Sequence, residues 1–145
     1  MRDNAEIFSL LHRAGQIADE IFSVHVAELT PRQYLVLSAI AELGDGVNQR
    51  ALSAHTGIDR STVSEVVRRL MKRGYVLRPR SGEDARSYSI RLTSSGREML
   101  AAAKQVARMA ATAFFNTLPR EHRVPLISAL EALTSANVHQ MQEAA

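Results

Sequence analysis

Residues 76–96, Val-Leu-Arg-Pro-Arg-Ser-Gly-Glu-Asp-Ala-Arg-Ser-Tyr-Ser-Ile-Arg-Leu-Thr-Ser-Ser-Gly, constrain what this 145-residue chain can become more than any other stretch. They read as two short strands around a charged hairpin. Just before them, Val63, Val66, Val67, Leu70 and Met71 recur at helical spacing, and the segment ends in basic residues and Gly74. A basic helix followed by a basic β-ribbon can touch both grooves of a DNA duplex.

Charge is distributed to match. The net charge is only +3, but residues 47–97 carry eleven Lys/Arg (Arg50, Arg60, Arg68, Arg69, Lys72, Arg73, Arg78, Arg80, Arg86, Arg91, Arg97) against four acids (Asp59, Glu65, Glu83, Asp84). That segment is therefore +7 and the remainder −4. A basic middle between acidic ends is the electrostatic footprint expected for a polyanion partner, although a solvated basic surface would give the same count. Composition narrows the classes further. A hydrophobic content of 46% suffices for a core, and 5% aromatic residues argue against a stacking platform for single strands. The absence of cysteine excludes disulfides, thiolate metal sites and thiol redox sensing. No apolar run approaches the roughly 18 residues of a membrane span, and the N-terminus lacks a signal-peptide core, so a cytoplasmic location is expected.

The rest of the chain reads as helices. Ile7, Leu10, Leu11, Ala14, Ile17, Ala18, Ile21 and Phe22 form one face of a helix over residues 5–28, while Phe8, Val24 and Val26 fall off it. A helix apolar on two sides usually meets a partner chain. Thr30-Pro31-Arg32-Gln33 signals a helix start with a capping box, and Tyr34, Leu35, Leu37, Ile40 and Ala41 are expected inside. Asn48 is placed to cap a short helix over about 48–55, with Ala51, Leu52 and His55 as inward candidates. Asp59 is placed to cap the next. Two helices separated by a short Gly-containing turn fit a helix-turn-helix unit. After the strands, an Ala-rich helix over about 94–117 and a final helix with Leu126, Ile127, Leu130, Leu133, Val138 and Met141 follow a break at Leu118-Pro119. Pro125 means either that this last helix starts near it or that its first turns kink.

Several of these signals agree in order and spacing with one family. Leu52, Gly57-Ile58-Asp59, Ser61-Thr62-Val63-Ser64, Leu70, Gly74-Tyr75-Val76, Asp84-Ala85-Arg86 and Leu92-Thr93-Ser94-Ser95-Gly96 resemble the core of the MarR family of winged helix-turn-helix regulators. By residue pattern the resemblance covers about half the chain, and helix order extends it to both ends. It implies a mainly α fold with a small two- or three-stranded β wing. It implies a homodimerising N-terminal helix (1–30), a winged helix-turn-helix DNA-binding lobe (31–97) and dimerising C-terminal helices (98–145). The implied partner is a double-stranded, pseudo-palindromic operator, and the implied function is transcriptional regulation, as a repressor relieved by a small anionic or aromatic effector. No cofactor and no metal are expected.

The candidate DNA-binding residues are Asn48, Gln49, Arg50, Arg60, Ser61, Thr62, Ser64, Glu65, Arg68, Arg69, Lys72, Arg80, Asp84 and Arg86. Ser61, Ser64 and Arg68 occupy successive turns of one face. Arginine can bind guanine through two hydrogen bonds, whereas serine discriminates less. Thr62 either supports the turn or faces the duplex. Asn48, Gln49 and Arg50 could bind phosphate from the start of their helix. Arg86 would enter the minor groove, steadied by Asp84 as the resemblance implies. Arg78, Arg80 and Arg91 either contact phosphates or repel acidic surfaces. His12, Arg13 and Gln16 are the effector-binding candidates, with an exposed polar face as the plain alternative.

The five histidines (His12, His25, His55, His122, His139) lack metal-ligand spacing in sequence, and no Gly-rich phosphate loop, nucleophile elbow or paired-His motif points to catalysis. The rival readings are a winged-helix protein-interaction module without DNA binding, a metal-responsive regulator of the same fold, and a small enzyme or scaffold built on the helical dimer.

Overall fold

Capping chemistry sets the element boundaries. The Thr30 hydroxyl accepts from the Gln33 N–H while the Gln33 side chain accepts from the Thr30 N–H, closing the expected capping box ahead of Pro31. Asn48 accepts from Ala51 N–H and Asp59 from Thr62 N–H at the next two helix starts. The computed structural model describes residues 4–44, 46–79 and 89–136. Among these, the elements run α1 (Asn4–His25), α2 (Pro31–Leu43), α3 (Gln49–Thr56), α4 (Arg60–Lys72), β1 (Val76–Leu77), β2 (Arg91–Leu92), α5 (Ser94–Asn116) and α6 (Arg120–Ser135). The mainly α architecture with a small β element is thus as the sequence implied.

The chain divides into two compact units, Met1–Arg108 and Met109–Ala145. In the first, α2, α3 and α4 pack against one another around Val36, Leu37, Ile40, Leu52, Val63, Val67 and Leu70, all fully buried. Burying each such side chain contributes roughly 1.5–3 kcal/mol, against about 0.3–0.5 kcal/mol for an exposed ion pair on a helix. Apolar burial therefore decides how these helices sit. On α2 the inward set is Val36, Leu37, Ala39 and Ile40, whereas Leu35 and Ala41, expected inside, are exposed. Nearly every position of this helix is apolar, so its sequence allows more than one register of burial. His55 likewise faces solvent, 2.9 Å from the Glu42 carboxylate.

The strands pair antiparallel, with Val76 opposite Leu92 and Leu77 opposite Arg91. A single bridge between Val47 and Ile90 adds a third line of backbone pairing. The Thr93 hydroxyl donates to Gly74 C=O and accepts from Gly96 N–H, starting α5. Gly96 meets the chain here: a Cβ at that position would lie 2.1 Å from the Tyr75 carbonyl oxygen. Glycine at 96 is a packing requirement between α5 and β1.

α1 buries none of its residues, and Ile7, Phe8, Leu10, Leu11, Ile17 and Val24 are all exposed. Its C-terminal end does touch the core, with the Phe22 ring 4.9 Å from that of Tyr34. In the second unit, Arg123 closes the α5–α6 turn by donating to Leu118 C=O, Asn116 C=O and Asn116 Oδ1. Helix α6 begins at Arg120, five residues ahead of Pro125, so Pro125 lies inside it and does not mark its start. Val124, Leu126, Ile127, Leu130 and Leu133 on this helix are exposed. No described helix is long and apolar enough to cross a membrane.

Two substitutions test this packing. Gly96→Ala should destabilise the fold by about 1–3 kcal/mol, read from chemical denaturation, because the new methyl must displace backbone. Ser38 Oγ is buried without a hydrogen-bond partner among the described residues. Ser38→Ala should therefore leave Tm unchanged or raise it, since an unpaired buried hydroxyl costs about 1–3 kcal/mol.

Candidate nucleic-acid interface

The α4 sequence sorts itself by periodicity. At 3.6 residues per turn, Val63, Val66, Val67 and Leu70 point one way and are buried. Ser61, Ser64, Glu65, Arg68 and Lys72 fall on the opposite face, all exposed except the half-buried Ser64. Met71, expected with the apolar stripe, lies at its margin and is largely exposed. Arg60 and Arg69 flank the outer face. The helix thus offers solvent a ridge of hydroxyls and cations held rigidly by its buried side.

Interactions within the chain divide these groups. The Arg69 guanidinium donates to the Glu65 carboxylate one turn earlier at 2.5 Å, so their charges offset each other. Arg60, Arg68 and Lys72 are exposed and make no ion pair or hydrogen bond among the described residues. Three cations on one helix are therefore available for an anionic partner.

The start of α4 is a hydrogen-bonded knot. Asp59 accepts from the Ser61 hydroxyl (2.6 Å), the Thr62 hydroxyl (2.6 Å) and the Thr62 N–H (2.9 Å). These donors, the Ser61 hydroxyl foremost, hold the Asp59 carboxyl well below the usual carboxylate range. The hydroxyl protons of Ser61 and Thr62 are thus spent on the cap, and each oxygen keeps only acceptor capacity toward solvent. Of the two roles open to Thr62, support of the turn is the one occupied here.

Asn48, at the start of α3, is engaged as a cap; Gln49 is half-buried and Arg50 exposed beside it. Arg80, Asp84 and Arg86 lie outside the described residues. What is described of the ribbon is its base, where Ser89 N–H donates to Pro79 C=O and Ile90 N–H to Val47 C=O. His12, Arg13 and Gln16 are exposed along α1. They line neither the open groove of ≈ 380 Å³ between α2, β2 and α5 nor the ≈ 510 Å³ cleft where α1 leads into α2. Among the described residues no group of three or more His, Asp or Glu is placed to hold a metal ion.

Sequence reasoning missed Arg73. It counts toward the basic middle, yet its guanidinium turns toward the α1–α2 connection and bonds the Glu28 carbonyl. No local pattern announces a contact 45 residues away.

A sequence model of the MarR family matches residues 27–87, the span from the α1–α2 connection through α4 and into the hairpin. A Thauera aromatica protein named as transcriptional regulator of the hcr operon is 32% identical over 118 residues, covering 77% of this chain and 70% of that protein. The chain belongs to the MarR family. The transcriptional regulator HosA of Escherichia coli is 30% identical over 122 residues, covering 79% of this MarR-family chain and 90% of HosA. Among solved structures, Bordetella bronchiseptica BpsR, whose DNA binding is regulated by 6-hydroxynicotinic acid, superposes with a TM-score of 0.82 at 26% identity. That match covers 90% of this chain and 99% of BpsR. The chain is a transcriptional regulator of this family, as its relatives are named.

The Asp59 knot makes a pH prediction. Because the folded carboxyl is shifted down, its stabilisation is complete above the ordinary aspartate value of about 3.9 and is lost as pH falls below it. Wild type should exceed Asp59→Asn in Tm at neutral pH, and the difference should narrow below roughly pH 4. Equal slopes of Tm against pH would show that the knot does not couple to folding.

Proposed function

We propose that this chain binds a double-stranded, pseudo-palindromic operator as a homodimer and represses transcription until a small anionic or aromatic effector releases it. The observation that carries the reading is the outer face of α4, where Arg68 and Lys72, with Arg60 at the flank, stand exposed among hydroxyl groups and unpaired among the described residues. Set into the major groove, Arg68 would read a guanine edge, with Arg60 and Lys72 against phosphates. Ser64 and the acceptor lone pairs of Ser61 and Thr62 would meet base-edge or water donors, and the Glu65–Arg69 pair would set the margin. Asn48, Gln49 and Arg50 would approach the backbone from the start of α3. Arg80, Asp84 and Arg86, assigned from the sequence alone, would supply a minor-groove contact.

Homodimerisation is supported by the apolar surfaces left open on α1 and, separately, on α6, too extensive for water to favour. Two copies would present their α4 helices one helical turn of DNA apart, about 34–36 Å. The effector assignment to His12, Arg13 and Gln16 rests on their place on α1, and an effector is supported by the similarity to BpsR, whose DNA binding is regulated by 6-hydroxynicotinic acid. An effector acts here only through its different affinity for the DNA-competent and incompetent forms.

The test uses a duplex selected from a random-sequence pool by the purified protein. Arg68→Ala should weaken binding by about 1–3 kcal/mol in gel-shift titration, with sedimentation unchanged. The slope of log K against log salt should fall by about one phosphate contact. Wild-type protein that selects no duplex would overturn the reading.

A further inference from the structure

The basic residues of the central segment are not all alike, and Arg73 is the one whose environment is fullest. It caps the C-terminal end of α4, its N–H bonded to Arg69 C=O at 3.2 Å. Its guanidinium runs back across the fold. One nitrogen, Nη1, donates to the Glu28 carbonyl oxygen at 2.5 Å, and Nη2 lies 3.6 Å from the Glu28 carboxylate. The planar group sits 4.9 Å from the centre of the Tyr75 ring, with the Tyr75 hydroxyl 3.4 Å from Nη2. A carbonyl, a carboxylate and an aromatic face are the three surroundings that arginine's flat fork satisfies together and lysine's point charge does not.

Each partner is itself anchored. Glu28 lies in the short connection between α1 and α2, between the buried Val26 and Leu29 and two residues ahead of the Thr30 capping box. Tyr75 N–H bonds Leu70 C=O on α4, and Tyr75 C=O accepts from Thr93 N–H and lies against Gly96. One side chain thereby joins the α1–α2 connection to the end of α4 and to the residue leading into β1. The ≈ 510 Å³ cleft beside it, lined by Glu28, Thr30, Gln33 and Arg73 among others, leaves open space along this join.

We infer that Arg73 is a positioning residue, a strut that couples the connection between α1 and α2 to the angle of α4, and not a phosphate contact. A displacement of α1 would reach α4 through Glu28 and Arg73 in addition to the Phe22–Tyr34 contact with the core. The DNA part of this inference rests on the operator reading above, and its coupling part does not.

The experiment compares wild type, Arg73→Ala, Arg73→Lys and Arg68→Ala by hydrogen exchange and by salt-dependent binding to the pool-selected duplex. Without DNA, Arg73→Ala should speed exchange both in residues 26–30 and in the amides from Arg69 to Tyr75. Arg73→Lys should do so partially. With DNA, Arg73→Ala should lose about five- to tenfold in affinity while keeping the wild-type salt slope, whereas Arg68→Ala lowers that slope. Duplex binding should slow exchange in residues 26–30 of wild type but not of Arg73→Ala. Exchange changes confined to α4 in the DNA-free comparison would overturn the strut. A salt slope lowered by Arg73→Ala as much as by Arg68→Ala would overturn it too, making Arg73 a phosphate ligand. If wild type bound no duplex at all, the operator reading would fall and the DNA-free comparison alone would decide the strut.

Discussion

Burial of Val63, Val66, Val67 and Leu70 against α2 and Leu52 is the constraint from which the rest follows. Those four side chains fix the roll of α4 about its own axis. Once the roll is fixed, helical periodicity leaves Ser61, Arg68 and Lys72 no choice but to face outward. A rotation by one residue, about 100°, would drive a cation toward the core, and an unpaired buried charge costs far more than any contact it could gain. The outer face is therefore as well defined as the core, although it makes few interactions of its own.

Around that fixed helix the charges are allotted different tasks. Arg69 is held by Glu65, and Arg73 by Glu28 and Tyr75, while Arg60, Arg68 and Lys72 are unpaired among the described residues. A count of basic residues treats all five alike. The structure leaves three of them for a partner and commits the other two internally. Family membership gives this division a setting, because relatives of the chain are transcriptional regulators and the DNA binding of BpsR is regulated by 6-hydroxynicotinic acid.

Much of this was legible in the sequence, and the parts that were not share a cause. Helix starts at Thr30, Asn48 and Asp59 were readable because a cap is a contact within three residues. The α4 stripe was readable because its polar and apolar residues separate cleanly. By contrast α2 is apolar nearly all round, so Leu35 and Val36 could not be told apart until α3 and α4 were packed against it. His55 faces outward to Glu42, a pairing thirteen residues apart that no local pattern marks. Gly96 stood in the family motif without a reason until Tyr75 was seen beneath it. The Arg73–Glu28 contact and the Val47–Ile90 bridge join distant segments through single residues, and single long-range contacts leave no periodicity to detect.

The base of the hairpin carries a consequence for how α3 and α4 can move. Val76 and Leu77 are clamped to Leu92 and Arg91, Ser89 to Pro79, and Ile90 to Val47, the residue just ahead of the α3 cap. Three segments, the lead into α3, β1 and the lead into β2, are thereby sewn together. Load applied to any one of them is shared by the other two, which keeps α3 and α4 from drifting apart independently at this end.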